Sequence, residues 1–533
     1  MIRLTQLTLL VLFFNLSSAL AQRPYSGGPV SEAQAAKDIK HYHLDLTLDP
    51  ERRTLGGRVD VYFTINAIAE HWELDLHPNF EVHDIQMDDE NTLEFEREAR
   101  KIYIRHDGNA KIGDLVKLSI FYSGFTPIAP NAPWEGGFSF AKSPNGNHWV
   151  GLSCQNDGAD IFMPCKDQPY DKPDSVRMQI SVPKGYQAIG NGILEGMLEG
   201  PNQDIYTWAT FYPINNYSIN FTIGKFSNYQ TSYTSVDGND VKVDVYLLEE
   251  NAAQLETLAN MAIDNLMHHE QFFGEYPFAK EKFGLVETPY LGMEHQTINA
   301  YGNQFRYTTV QGKSYDWLLL HELGHEWWAN KVTAADWADF WIHEGLCSFS
   351  DALYLHSNFG WEEYWKKMSQ TRNGITNQKP IVLGRNINSV EAYHPGVYGK
   401  ASFVLHMLWD MIGDDLFFGS LYDFANNDAL NYHNTVGTDD FIRLVNEKTG
   451  EDFTEFFRFF FESTEIPEVL VTEGEDGDWR ISIPNIRFTL PLEVHTSEDI
   501  LRLDLGPNPT SVLSKTRPEI DPEGLYLRKI TFR

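Results

Sequence analysis

Apolar residues recur at every second position over the first part of the chain and at helical spacing further on. From Tyr42 the run Tyr42-His43-Leu44-Asp45-Leu46-Thr47-Leu48-Asp49 alternates cleanly, and 57–63 repeats the pattern after turn residues. Alternation sends one set of side chains to a buried face and the other to water, which predicts strands. Similar runs at 116–121, 178–182 and 217–223, with no helical stretch between them, predict a β-sandwich or saddle. Near 235 the period changes. Leu255, Leu258, Met261, Ala262, Leu266 and Phe273 fall on one side of a helix covering 255–273. The spacing predicts further helices at 317–330, 346–357, 398–412, 438–447 and 453–461. Strands return at 479–483, 501–505 and 525–530. The expected class is α+β and multidomain: a β-domain over 36–230, a helical domain with some strands over 231–466, and a small β-domain over 467–533.

At 533 residues the chain exceeds what one core supports, and 42% hydrophobic residues fill several interiors. Acidic residues number 75 against 42 basic ones, a formal charge of −33. Such a surface repels polyanions, which excludes nucleic acid and anionic membrane as partners. Residues 1–21 read as a secretory signal: Arg3, an apolar run over 7–16, then Ala19-Leu20-Ala21 as a small-x-small cleavage site. The run is too short to span a bilayer, and no other stretch reaches the roughly 18 apolar residues a transmembrane segment needs. The expectation is an exported protein, periplasmic or extracellular, cleaved near Ala21 and continued by a Gly/Ser/Pro linker over 22–35. Cys154, Cys165 and Cys347 cannot make a disulfide framework, and all three read first as small buried residues.

The strongest chemical signal is His321-Glu322-Leu323-Gly324-His325. Residues four apart on a helix share a face, so both imidazoles can reach one ion, and Glu322 can take a proton from a water beside it. Glu344, in Trp341-Ile342-His343-Glu344-Gly345, follows His325 after eighteen intervening residues. That leaves room for a turn and a second helix returning across the first. Two histidines and a glutamate make an open, catalytic zinc set with a position left for water.

This pattern resembles the M1 family of zinc aminopeptidases, a gluzincin group, as does the continuation His325-Glu326-Trp327-Trp328-Ala329-Asn330. The resemblance implies an N-terminal β-saddle, a thermolysin-like α/β catalytic domain, and one zinc ion per chain held by His321, His325 and Glu344. It implies Glu322 as general base. Leu291-Gly292-Met293-Glu294-His295 is similar to the family's Gly-x-Met-Glu-Asn strand, with glycine shifted and histidine in place of asparagine. By that likeness Gly292, Met293 and Glu294 bind substrate, Glu294 through the α-ammonium group. Gln155, nine residues before Pro164-Cys165, matches a second amine contact. Tyr398-Gly399-Lys400-Ala401 matches Tyr-x-Lys-Gly with alanine for glycine, which implies Tyr398 as oxyanion donor. Tyr393 lies at the spacing found in the leukotriene hydrolase branch, but Val390 stands where that branch needs aspartate, so epoxide hydrolysis is not implied. Asp351, two turns after Glu344, is either a partner to a ligand histidine or an ordinary exposed carboxylate. The implied function is removal of the first residue from peptides with a free amino end. Two other classes fit the zinc pentapeptide alone: an endopeptidase lacking the Gln155/Glu294 anchor, and a catalytically silent peptide-binding relative.

Overall fold

A computed structural model describes residues 25–475 and 477–533; the expected signal segment lies outside them. The alternating run from Tyr42 belongs to a longer strand, Lys37–Asp49, with Tyr42, Leu44, Leu46 and Leu48 buried. It sits inside an eight-stranded sheet, antiparallel to Thr54–Ile65 on one side and parallel to Ser175–Pro183 on the other. A four-stranded sheet includes His148–Ser153 and Phe221–Gly224. Only the end of the run predicted at 217–223 is strand; Asn216–Ser218 forms a 3-10 turn first. The linker expected over 22–35 is docked where it is described. Ser26 bonds the backbone of Asn156 and Ser389, and Glu32–Ala35 is a helical turn closed by a Ser31–Gln34 capping box.

The strand Phe226–Thr234 crosses the boundary expected at 230/231 and pairs along its length with Asp240–Leu248. A five-stranded sheet therefore begins at 226. Its five strands end at an edge formed by Gly292–Met293. Against it pack helices α1 (Leu255–Phe273) and α2 (Trp317–Gly324), and on these build α3 (Trp341–Phe359), α4 (Trp361–Gly374), α5 (Gly399–Ile412), α6 (Asp414–Asn426), α7 (Thr438–Thr449) and α8 (Thr454–Glu462). Helices α4 and α6 have no counterpart in the periodicity reading above.

Helix α2 is shorter than the predicted 317–330. Asp316 caps its start, accepting from the Leu318 and Leu319 amides at 3.0 and 3.1 Å. After His325 the chain widens: the amides of Asn330, Lys331 and Val332 bond carbonyls five residues back, at 3.0, 3.1 and 3.0 Å. The wide turn buries Trp327 and Trp328 beneath the helix and is clasped by the N-terminal sheets. Lys172 donates to Asn330 O at 2.7 Å and Thr333 Oγ1 at 3.0 Å, and Asn215 to Ala329 O at 2.9 Å. Burial with no carboxylate alongside lowers Lys172 to about 7.

The C-terminal part forms a four-stranded and a three-stranded sheet. The strand predicted at 525–530 shifts to Lys529–Phe532, because the Asp521 carboxylate takes the amides of Leu525 and Tyr526 at 2.8 and 3.2 Å and holds them in a turn. All three cysteines are buried and free. Among the described residues no helix is long and apolar enough to cross a membrane.

Two glycines let the elements around the predicted metal donors close on one another. A Cβ on Gly324 would stand 2.9 Å from Cys347 Sγ, so α2 and α3 touch there. A Cβ on Gly345 would stand 2.6 Å from Ala401 Cβ and 3.0 Å from Val397 O, so α3 presses directly on the segment that enters α5. Alanine at 345 would gain about 1 kcal/mol of helix propensity and lose about 1–3 kcal/mol to overpacking against groups that cannot swing away. Gly345→Ala should therefore unfold at lower denaturant; equal or higher stability would mean that the two helices part freely.

Candidate active site

His321 sits in the last turn of α2 and His325 at its C-terminal cap, one turn apart as the spacing requires. Glu344 lies in the first turn of α3. Their free atoms converge: His321 Nε2 is 3.3 Å from His325 Nε2, and Glu344 Oε2 is 3.5 and 3.4 Å from the two. Three ligands on a tetrahedral ion at zinc distances stand about 3.4 Å apart. The donor set fits zinc. Glu344 Oε2 is buried with no hydrogen-bond partner, the state of an acceptor awaiting a cation. Each imidazole is oriented from behind, His321 Nδ1 by Asp351 Oδ2 at 3.0 Å and His325 Nδ1 by the Trp328 carbonyl at 2.9 Å. Cys347 also approaches the histidines, but its thiol donates to the His321 carbonyl at 2.9 Å.

A cavity of about 200 Å³ opens over these donors. It brings together every site residue expected from the sequence: Gln155, Gly292, Met293, Glu294, His321, Glu322, His325, Glu344 and Tyr398 all line it. Glu322 packs under the Gly292 backbone, where a Cβ would stand 2.6 Å from its Oε1. Burial pushes its carboxyl up to about 8; the Glu294 and Glu344 charges push the same way and the two histidines oppose them. A divalent cation among the donors would add to the histidines' side.

Glu294, 1% exposed, follows the edge strand Gly292–Met293. Its Oε1 accepts from Gln155 Nε2 at 2.6 Å and from Tyr217 OH at 3.0 Å, and Asn330 Nδ2 bonds its backbone carbonyl at 2.8 Å. His295, at the family's asparagine position, turns away from the cavity; it is buried against Asn220 at 3.1 Å and burial lowers it to about 3. Tyr398 lies at the start of α5, its ring stacked on His321 with centroids 6.5 Å apart and its hydroxyl bonded to Tyr393 OH at 3.1 Å.

Sequence reasoning missed Tyr217, Trp134 and Trp317. Tyr217 was hidden in an apparent strand, and the two tryptophans carry no motif. Pro133 and Trp134 line the cavity from the N-terminal part, Trp317 from the first residue of α2. Two nearby histidines outside the donor set are held by backbone bonds: His343 accepts from the Ala334 amide at 3.0 Å and His269 bonds the Asn265 carbonyl at 2.8 Å.

Because Asp351 holds His321 in the orientation that presents Nε2, Asp351→Ala should weaken zinc retention about 10–100-fold. Competition with a chromophoric chelator measures this, and an unchanged affinity would reduce the contact to an ordinary ion pair.

Two family models match the chain, the Peptidase M1 N-terminal domain over residues 39–217 and the Peptidase family M1 domain over 258–460. Aminopeptidase 2 of Candida albicans is 23% identical over 494 residues, 87% of this chain and 51% of that protein. Glutamyl aminopeptidase of Sus scrofa is 27% identical over 284 residues, 48% of this chain and 28% of that protein. The chain thus spans about half the length, or less, of these curated relatives. An M1 zinc metallopeptidase from Deinococcus radiodurans, solved bound to a Tyr-Ser-Ala substrate, superposes with a TM-score of 0.68 at 22% identity, covering 81% of this chain and 95% of that one. With both family models matched, and in this order, the chain belongs to the M1 peptidase family.

Proposed function

We propose that this protein is an exported zinc aminopeptidase that removes the first residue of peptides with a free amino end. The observation that carries this reading is the position of Glu294. One of its carboxylate oxygens lies within 4.8 Å of both a Glu322 oxygen and a His325 nitrogen, at the wall of a small cavity. A buried carboxylate beside the hydrolytic centre offers an α-ammonium group a charge-assisted contact at a fixed distance from the scissile bond. An endopeptidase has no use for it, since its substrate brings a neutral peptide group to that point.

His321, His325 and Glu344 would hold one zinc ion per chain. When bound, zinc supplies Lewis acidity that acidifies water and polarises the substrate carbonyl. The remaining work belongs to the chain. Gln155 and Tyr217 hold Glu294 in place, and Gln155 supplies a second polar contact for the amine. The Gly292–Met293 edge strand offers backbone groups to an extended peptide. Glu322 accepts the proton of the attacking water and returns it to the leaving amine. Tyr398 donates to the oxygen that gains charge in the transition state, with Tyr393 restraining its hydroxyl.

Glu322→Gln removes the base but no ligand, so zinc content should stay near one per chain while kcat falls by at least ~10². Tyr398→Phe should lower kcat with little change in KM, as expected for a bond made mainly in the transition state. A Tyr398→Phe enzyme changed only in KM would move that residue to substrate recognition.

The ammonium contact is worth roughly 1.5–3 kcal/mol, and its loss also displaces the scissile carbonyl. Acetylated peptides should therefore be cut at least ~100-fold more slowly than free ones, and products should appear one residue at a time from the amino end. Glu294→Ala should erase most of that preference by harming the free-amine substrate selectively. Mass-spectrometric time courses on matched peptides test this. Internal cleavage of the acetylated peptide at a comparable rate would make the enzyme an endopeptidase.

A further inference from the structure

The segment 393–400 is a partition between two cavities. Tyr393 and Tyr398 face the metal donors, whereas His394, Pro395, Gly396, Gly399 and Lys400 line a second cavity, of about 410 Å³, on the other side. Its opposite wall is the end of α4 and the chain that follows, including Asn377 and Lys379.

The charge around this second cavity runs against the rest of the molecule. In a chain with 75 acidic residues, none of the lining residues is acidic, while two are lysines and one is histidine. Lys400 is buried, 1% exposed, and donates to the Ser463 carbonyl at 2.8 Å; no carboxylate lies beside it. An ammonium group has three donors, so this one carbonyl leaves most of its capacity and all of its charge unanswered. Burial accordingly lowers Lys400 to about 8. His394 is 8% exposed. Its Nδ1 accepts from the Gly396 amide at 3.1 Å; the ring also lies against the Ile381 and Pro380 backbone carbonyls, and Nε2 is buried with no hydrogen bond of good geometry. The first two residues of α5, a 14-residue helix, complete the wall, and no side chain caps that helix. The start of the helix adds positive potential beside the lining cations.

We propose that this second cavity binds a small oxyanion, a phosphate or a carboxylate group, between Lys379, His394, Lys400 and the start of α5. An anion there would tie the chain after α4 to the partition and so fix the backbone from which Tyr398 projects. Binding stands on the geometry of the second cavity alone; its effect on turnover rests on the role proposed for Tyr398.

The test is a calorimetric titration of the full zinc-loaded protein with inorganic phosphate and, separately, with acetate, at fixed ionic strength. Saturable binding of either is expected, and which of the two binds identifies the group. Lys379→Gln and His394→Gln should each weaken it about tenfold. Lys379 is exposed, so its replacement leaves packing intact, whereas the buried Lys400 is not needed for the decision. Glu322→Gln and Tyr398→Phe, which alter the other cavity, should leave binding unchanged; loss in those variants would assign the anion to the metal side and overturn the proposal. Absence of saturable binding by both anions, or full affinity in both Lys379→Gln and His394→Gln, would overturn it equally. In peptide hydrolysis the anion should raise kcat at least twofold with KM nearly constant, and Lys379→Gln should abolish that response. Binding without any kcat response would overturn the coupling to Tyr398.

Discussion

Three carboxylates and two imidazoles meet in one small buried space, and the rest of the structure answers to that convergence. Glu294, Glu322 and Glu344 are each buried, and like charges at such distances cannot all persist without opposing charge or hydrogen bonds. Each is therefore supported differently. Glu344 faces the two histidines, Glu294 receives donors from Gln155 and Tyr217, and Glu322 remains the least supported and is driven toward its protonated form. The close crossing of α2 and α3 at Gly324, and of α3 with the start of α5 at Gly345, brings the charges close enough to act on one ion.

The candidate donors His321, His325 and Glu344 were legible from local spacing, whereas Gln155, Gly292, Met293, Glu294 and Tyr398 were reached only through the family resemblance. His321 and His325 share a helical face by arithmetic, and Glu344 begins the next long helix where its separation permits. What spacing could not reveal was the backbone after His325. The helix stops there because amides bond five residues back and because Lys172 and Asn215, more than a hundred residues earlier, hold the turn. Helices α4 and α6 escaped as well. Helix α4 buries only Tyr364 and Met368, so neighbouring elements fix it in place, whereas α6 buries Phe417, Leu421, Phe424 and Ala425 on one face, a stripe the periodicity reading passed over. The strand predicted at 525–530 slipped because one carboxylate, Asp521, captured two of its amides, a competition that periodicity does not register.

Tyr217 marks the limit of motif reading most clearly. It sits in a 3-10 turn of the β-rich part, carries no pattern, and yet donates directly to Glu294. Trp134 reaches the cavity from the same side, out of a loop that nothing in the composition distinguishes. A residue that works only by being brought across a boundary has no neighbours in sequence to announce it.

The boundary itself has a consequence. The proposed zinc donors, the proposed base and Tyr398 all belong to the helical part, but Gln155 and Tyr217, which bond Glu294, come from the β-rich part. Glu294 and the groups that support it are thus mounted on different parts of the chain. A slight sliding of one part over the other would leave the donor cluster assembled while loosening Glu294, the carboxylate proposed to fix the amino end. On the proposed reading, loosening at that seam would blur the choice of bond before it disabled hydrolysis.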